Sequence, residues 1–404
     1  MRQLINSRLK TWSQKSFDKL PNIISSRGCW LMDSKGKKYF DLTSQAISCN
    51  LGHTVPHSVK KAVLNQLNTV PYVYGGLART PIVDDLIHEL GQVTPPHLTG
   101  FLFPSSGSEA NEAAIRIANM ATGRKNVLSV KGSYHGGTTL TLAVSDDCRR
   151  VSVDGCINDN IIARNTSDVI SNINSSLSCL IIEPVIGSGG VYSYSQEWWD
   201  EVTDMCKKNG VIVICDEVMV GFGRTGSWWA HERYTNFKPD IMTMAKGMTS
   251  SWAPLSAVVI SDDLKKHFET TSIGYGSTWS AHPLSVAVAV ANIRELRNNN
   301  VIEHVKKTEK LFGNHVKAIA SQSSLFNNNI RHPGGFFACI DFATNDQDIV
   351  NHFKISLLEH GIMNMMRPGL FHIAPPLNTT EEELNECFKR VSNAVVSTSI
   401  KYGL

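Results

Sequence analysis

The sequence holds nine cysteines but no C-x-x-C pair, which removes the usual spacing of structural zinc sites and dithiol redox centres. It also lacks any basic run or basic patch interleaved with aromatics. With 19% charged residues and a formal net charge of +3, no nucleic-acid partner is expected. Long apolar runs are missing too. Stretches such as Val286 to Val290 and Ala257 to Ile260 fall far short of the ~20 residues of a membrane span, so no membrane partner is expected. The N-terminal stretch MRQLINSRLKTWSQKSFDKLP is basic, with Asp18 its only acid, but has no apolar core of a secretory signal. It reads as a surface helix, with a transit peptide as the alternative. Cys179, Cys215 and Cys339 sit inside apolar runs, as reduced, buried thiols of a cytoplasmic chain do. His53 and His57 are four apart, but Pro56 interrupts any helix joining them. They read as loop or packing residues, and no metal site is expected.

At 404 residues and 42% hydrophobic, the chain can bury a large core and is expected to divide into two domains. Its middle alternates short apolar runs with helical stretches. The strand candidates are Gly100 to Phe103, Asn126 to Val130, Cys179 to Ile182, Val211 to Cys215, Ile241 to Met244 and Leu255 to Ile260. They are rich in Val, Ile and Leu and mostly lack period-two alternation, as strands buried on both faces should. Helix-like segments such as Glu109 to Met120 and Gln196 to Lys208 lie between them. The implied fold class is α/β with a mainly parallel sheet, whose ligands sit at the carboxyl ends of the strands. The C-terminal third differs. It has polar breaks at Asn298-Asn-Asn300 and Asn327-Asn-Asn329, both read as surface turns. A short strand pattern at Gly335 to Ile340 and an amphipathic helix near Glu381 to Ser397 follow. Residues 51–290 are expected to form the large domain and 291–404 a smaller α+β domain, with 1–50 packing against the latter.

Residues 215–226, CDEVMVGFGRTG, carry two competing signals. Gly221, Gly223 and Gly226 spell the dinucleotide fingerprint G-x-G-x-x-G. That fingerprint needs its glycines to open a packed helix, and the following SWWAHERYTNF has no clean helical stripe. No acid follows at the end of a second strand either, so the nucleotide reading fails. The other signal is Asp216 at the carboxyl end of one buried strand and Lys246 just past the next. An acid there can pair with a pyridine nitrogen, and a lysine beyond it can form a Schiff base. Taken singly, a loop-capping Asp and a solvated Lys are the commoner explanations. A third element tips the balance. FPSSGSEANEAAIR, from Phe103, reads as strand, glycine turn and helix start. There Gly107 permits close backbone approach and Ser108 offers a hydroxyl and an amide. A helix N-terminus favours an anion by up to ~2 kcal/mol. Together the three elements make a phosphate cup, an acid for a pyridinium and a Schiff-base lysine.

With these residues the chain resembles the class III (ω-) aminotransferases, which use pyridoxal 5'-phosphate on the type I fold. The matching motifs are Ser106 to Glu112, Tyr134-His-Gly136, Glu183-Pro-Val185, Asp216-Glu-Val218, Gly221 to Gly226, Ala245-Lys-Gly247, Thr278 to Pro283 and Arg367-Pro-Gly369. Their joint order is specific where no single motif is. The resemblance implies that Gly107 and Ser108 hold the cofactor phosphate, that Tyr134 stacks on the ring and that Val218 presses on its other face. His135 and Glu183 complete the cofactor site. Asp216 would keep the ring nitrogen protonated, and Lys246 would hold the cofactor and then carry the proton. Thr278 would reach the phosphate of a neighbouring subunit, which implies a homodimer with shared active sites. The role of Arg224 stays open.

Two departures bear on the substrate. Relatives that use 2-oxoglutarate with ornithine or 4-aminobutyrate carry a glutamate where this chain has Ser188, in Glu183-Pro-Val-Ile-Gly-Ser-Gly-Gly190. That run looks more like the pyruvate-using ω-amino acid branch. Arg367 matches the mobile arginine that grips the substrate carboxylate through two parallel bonds. Ala46 and Ile47 fall where relatives place larger aromatics, so a wider amine pocket is expected. The implied activity is transfer of an amino group from an ω-amino acid, diamine or other primary amine donor to an α-keto acid, pyruvate above others. The alternative is an amino acid racemase or aminomutase built on the same lysine and aspartate.

Overall fold

The computed structural model describes residues 20–153 and 160–404. Residues 1–19 of the basic N-terminal stretch, read above as a surface helix, lie outside the described residues, as does Cys156. The centre of the molecule is a seven-stranded sheet. Its strands run, edge to edge, Leu98–Leu102, Ala257–Ser261, Ile241–Met244, Ile212–Asp216, Leu177–Ile182, Asn126–Val130 and Ile161–Ala163. Every pairing is parallel except those made by Ala257–Ser261, which is antiparallel to both its neighbours.

The apolar runs become central strands because both faces of the sheet are covered. In Leu177–Ile182 and Ile212–Asp216 every residue is buried. Side chains alternate between two cores, as strand geometry requires. Cys179, Ile181, Ile212 and Ile214 pack with Ala110, Ala113, Ala114 and Ile117 of the helix Gly107–Thr122. Leu180, Ile182, Val213 and Cys215 pack on the other face with Trp199, Val202 and Cys206 of the helix Gln196–Asn209. Alanines on the first helix let its backbone lie close to the sheet. Ser106 starts that helix by accepting a bond from the Glu109 amide at 3.3 Å, and Gly123 ends it with φ 68°.

Three smaller sheets surround this unit. The strands Ile23–Arg27, Trp30–Asp33 and Lys38–Asp41 form one sheet, completed by Ile362–Met363 from the far end of the chain. Val185–Ile186 pairs with Tyr192–Ser193, and Phe326–Gly334, Phe337–Phe342 and Leu370–Ile373 form the third. The last helix, Glu381–Tyr402, is held at its start by a capping box between Thr380 and Glu383 (3.0 and 3.2 Å). Leu384, Phe388, Val391 and Val395 face the core from it.

The six expected strands all occur, with ends shifted by up to two residues. Ile161–Ala163 goes beyond them, since three residues carry no readable period. One expectation is corrected. The asparagines at 327–329 do not form a turn: they lie within the strand Phe326–Gly334, where the pairing register slips between Phe326 and Ile330. The boundary expected after residue 290 falls inside the helix Pro283–Asn298. One core runs past it, joining Leu42, Met244 and Val286 to Phe312 and Phe388.

Candidate active site

Five expected site elements meet at the carboxyl ends of the parallel strands. The turn at Gly107 follows Leu98–Leu102, and the Tyr134-His135 loop follows Asn126–Val130. Glu183 follows Leu177–Ile182, Asp216 ends its own strand and Lys246 lies two residues past Ile241–Met244. Peptide dipoles and loop amides converge at such an edge, where ligands of open α/β sheets bind.

Asp216 is 2% exposed, and both oxygens of its carboxylate have hydrogen-bond partners. Oδ2 accepts from Asn111 Nδ2 at 2.7 Å and lies 2.8 Å from His135 Nδ1. Oδ1 accepts from the Val218 amide at 3.0 Å and, more weakly, from Thr243 Oγ1 at 3.5 Å. Since its neighbour is an acceptor, His135 carries its proton on Nδ1, a tautomer assigned from the bonding pattern. Asn111 is oriented in turn by Thr243 Oγ1, 2.6 Å from its Oδ1. These donors hold Asp216 in one orientation. Glu183 accepts from the Tyr134 amide at 3.1 Å and the Gly187 amide at 2.8 Å, tying the Tyr134 loop to the next one. Burial pushes its carboxyl above the usual range.

Lys246 stands on a turn in the left-handed region, φ 23°, where a side chain adds steric strain. Burial pushes its ammonium down to about 8, against the opposing pull of Asp216 and Glu183, and Arg367 adds to the depression. A lysine tuned this way is a usable base near neutral pH.

The crevice expected to hold the phosphate is shaped by exclusion. A Cβ on Gly107 would come 2.7 Å from Val218 Cγ1. Gly136, at φ 146°, would place its Cβ 2.8 Å from Ser108 Cα, and Ser108 Oγ accepts from the Gly137 amide at 3.0 Å. The first amides of a helix have no partner inside it, so the start of Gly107–Thr122 offers donors beside a crevice that only glycine leaves open. Acid, lysine, aromatic ring and donor-lined cup fit pyridoxal phosphate in charge and in kind.

Tyr134 is half-buried, with Arg149 and Arg367 centred 5.3 and 5.8 Å from its ring. Arg149 is paired with Asp147 (2.7 and 2.6 Å). Thr278 is exposed, and its carbonyl accepts from Tyr72 Oη at 2.7 Å. Among the described residues, no hydrogen bond joins it to Gly107 or Ser108 of its own chain. Ala46 is exposed, but Ile47 is 1% exposed and packs with Val185, Met219 and Phe337. In this chain Ile47 therefore presents almost no surface to solvent.

Sequence reasoning missed Asn111, Thr243 and the Asp147–Arg149 pair. Asn111 had a signal, lying one helical turn beyond Gly107 and so on the same face. Thr243 had none, because it meets Asp216 only through strand pairing. Cys215, Glu217 and His231 are close enough together to hold a metal. However, Glu217 already accepts from the Ala230 and His231 amides and lies 2.8 Å from His231 Nδ1, so the cluster is internally satisfied.

Residues 13–395 match the family model for class-III aminotransferases. The chain belongs to that family. It is therefore a pyridoxal-phosphate-dependent aminotransferase with a type I fold. A probable γ-aminobutyrate transaminase 4 of Oryza sativa subsp. japonica is 28% identical, covering 92% of this chain and 86% of its own length. An acetylornithine aminotransferase of Oceanobacillus iheyensis is 28% identical over 92% of each chain. Among solved structures, the taurine:2-oxoglutarate aminotransferase of Bifidobacterium kashiwanohense, in complex with PLP and glutamate, superposes with a TM-score of 0.90. Its identity is 25%, over 98% of this aminotransferase and 97% of that chain.

Proposed function

We propose that this aminotransferase moves the amino group of an ω-amino acid, diamine or other primary amine to a small α-keto acid, pyruvate above others, in two half-reactions. The observation that carries the acceptor reading is Ser188. It is buried, its hydroxyl has no hydrogen-bond partner among the described residues, and it supplies no carboxylate to Arg367. A second substrate carboxylate would need its own buried partner, which is costly to leave missing.

The chain's residues divide the work. Gly107 and Ser108 amides bind the cofactor phosphate, Tyr134 and Val218 flank the ring, and His135 and Glu183 hold that frame in place. Asp216, locked by Asn111 and His135, holds positive charge at the pyridine nitrogen. When bound, the cofactor supplies an electron sink for the substrate carbon that loses its proton. Lys246 would take that proton and return it two atoms further on, to the carbon beyond the amino nitrogen, which its lowered affinity for protons permits. Arg367 grips the carboxylate of the keto acid, and Ala46 borders the space for the amine. A homodimer is supported by apolar exposure at Trp279, next to Thr278, and in the segment that follows Tyr72, whose hydroxyl bonds the Thr278 carbonyl. Tyr74, Leu77 and Trp279 are 49%, 85% and 66% exposed, more than an isolated chain leaves uncovered without cause. A cytoplasmic setting is supported by eight free cysteines among the described residues.

A panel of amine donors against pyruvate and 2-oxoglutarate tests the reading. Pyruvate should lead by at least about tenfold in kcat/KM, roughly 1.4 kcal/mol. Amine alone should release one equivalent of carbonyl product per chain and then stop, whereas a racemase would turn over with no keto acid. Equal use of both acceptors overturns the pyruvate assignment.

A further inference from the structure

Arg224, left without a role by the sequence, is 0% exposed, and among the described residues no carboxylate lies within ion-pair distance of it. Its two terminal nitrogens bond only to neutral oxygens, while its buried Nε has no hydrogen-bond partner among the described residues. One terminal nitrogen donates to the carbonyls of Phe336 (3.1 Å) and Pro375 (2.6 Å), the other to Ser44 Oγ and Asn50 Oδ1 (both 3.2 Å). Burial lowers its affinity for the proton, to a pKa of about 9, with Asp41 opposing from a distance. An apolar side chain would fill this volume at lower electrostatic cost. Stability alone therefore does not account for a guanidinium here.

The four acceptors come from two separate pieces of chain. Phe336 and Pro375 belong to the C-terminal third, and Ser44 and Asn50 bracket the segment 44–50. That segment is strained, with Ser44, Gln45 and Ile47 all left-handed at φ 45°, 60° and 56°. Asp41 holds it from the other side, accepting from the Gln45 amide and from Gln45 Nε2, both at 2.9 Å. The segment leads directly to the site. Thr43 Oγ1 accepts from the Met365 amide at 3.0 Å, and Ile47 packs with Met365 and Leu370, on either side of Arg367. Asn50 donates to the Phe222 carbonyl at 3.0 Å and lies against Gly247, where an added Cβ would meet its Nδ2 at 2.4 Å.

We infer that Arg224 is a positioning residue that fixes where Arg367 stands, by holding segment 44–50 in its strained shape between the two ends of the chain. The inference rests on the reading of Arg367 as the carboxylate-gripping residue. Four acceptors spread over a planar fork match a guanidinium and not the compact ammonium of lysine.

The test uses the full-length holoenzyme. Arg224→Lys should raise KM for carboxylate-bearing substrates about tenfold, with kcat, pyridoxal phosphate affinity and KM for a carboxylate-free amine each within about threefold. Ser44→Ala, which removes one acceptor and leaves Arg224 in place, should shift the same ratio less and in the same direction. Should the lysine variant not fold, Ser44→Ala alone decides between the two outcomes. A lowered melting temperature with an unchanged ratio of the two KM values, in either variant that folds, overturns the inference and makes Arg224 a packing residue. Arg367→Ala separates the two levels. If that variant keeps its preference for carboxylates, the reading of Arg367 fails. If it loses the preference while Arg224→Lys and Ser44→Ala do not, only the positioning role fails.

Discussion

The depressed proton affinity of Lys246 sets how the apo chain captures its cofactor. Only the neutral amine attacks an aldehyde. With the ammonium pushed from an ordinary 10.5 down to about 8, roughly a tenth of the lysine is neutral at pH 7, against about one part in 3,000 for an unperturbed lysine. The structure therefore predicts capture ~300-fold faster at pH 7 than for a solvated lysine. Below the knee the rate should rise about tenfold per pH unit, and above about 8 it should level off. The signs of the neighbours sharpen the test. Asp216 and Glu183 favour the ammonium and Arg367 disfavours it. Asp216→Asn should thus move the knee to lower pH, and Arg367→Ala should move it higher. The assay mixes apo chain with saturating pyridoxal phosphate across a pH series, quenches with borohydride and counts cofactor fixed to the chain. Lys246→Ala, which should fix none and show no transamination, sets the background. A wild-type knee near 10.5 would mean that burial does not tune this lysine, and shifts in the same direction for both variants would mean that these charges do not act on it.

Four further outcomes follow from the geometry. Asp216→Asn should slow the amine half-reaction by roughly 10²-fold or more, because it removes the negative charge proposed to face the pyridine nitrogen. A single-turnover rate within a few fold of the parent ends that role. Arg367→Ala should damage the keto-acid half-reaction far more than that with a simple amine, and equal damage to both means the carboxylate is gripped elsewhere. Gly107→Ala should weaken pyridoxal phosphate binding by at least about tenfold, since its Cβ meets Val218 at 2.7 Å. An unchanged dissociation constant shows the crevice is not the phosphate cup. Thr278→Ala should weaken cofactor binding without blocking fixation to Lys246. Exchange of its subunits with those of Lys246→Ala should then restore one intact site per heterodimer, and verified exchange without recovered activity counts against shared sites.

The apolar runs were legible because burial on both faces of a sheet leaves a mark on composition. Leu177–Ile182 and Ile212–Asp216 have no polar interruption before their last residue save Ser178, and both are wholly buried. The reversed direction of Ala257–Ser261 had no such mark, since a strand covered on both faces looks alike whichever way it runs. Gln196–Asn209 and Gly107–Thr122 carried readable stripes and caps. The asparagines at 327–329 misled because their polarity reads as a turn, whereas an exposed strand with a register slip accommodates them equally well.

Sequence alone determined which residues stand at strand ends. Asp216 and Lys246 follow consecutive apolar runs, and Gly107 precedes a helix, so chain order and run length place each at the carboxyl edge of the sheet. Tertiary structure decided which of them meet. Asp216 touches Thr243 because their strands pair in register, and it touches His135 although that loop follows a strand two places away in the sheet. Arg224 finds its acceptors more than a hundred residues away, at Ser44, Asn50, Phe336 and Pro375. Periodicity reports only whether a side chain is buried. Its partner is set by non-local crossovers and by the closing of the two chain ends over the sheet, which leave no trace in local spacing.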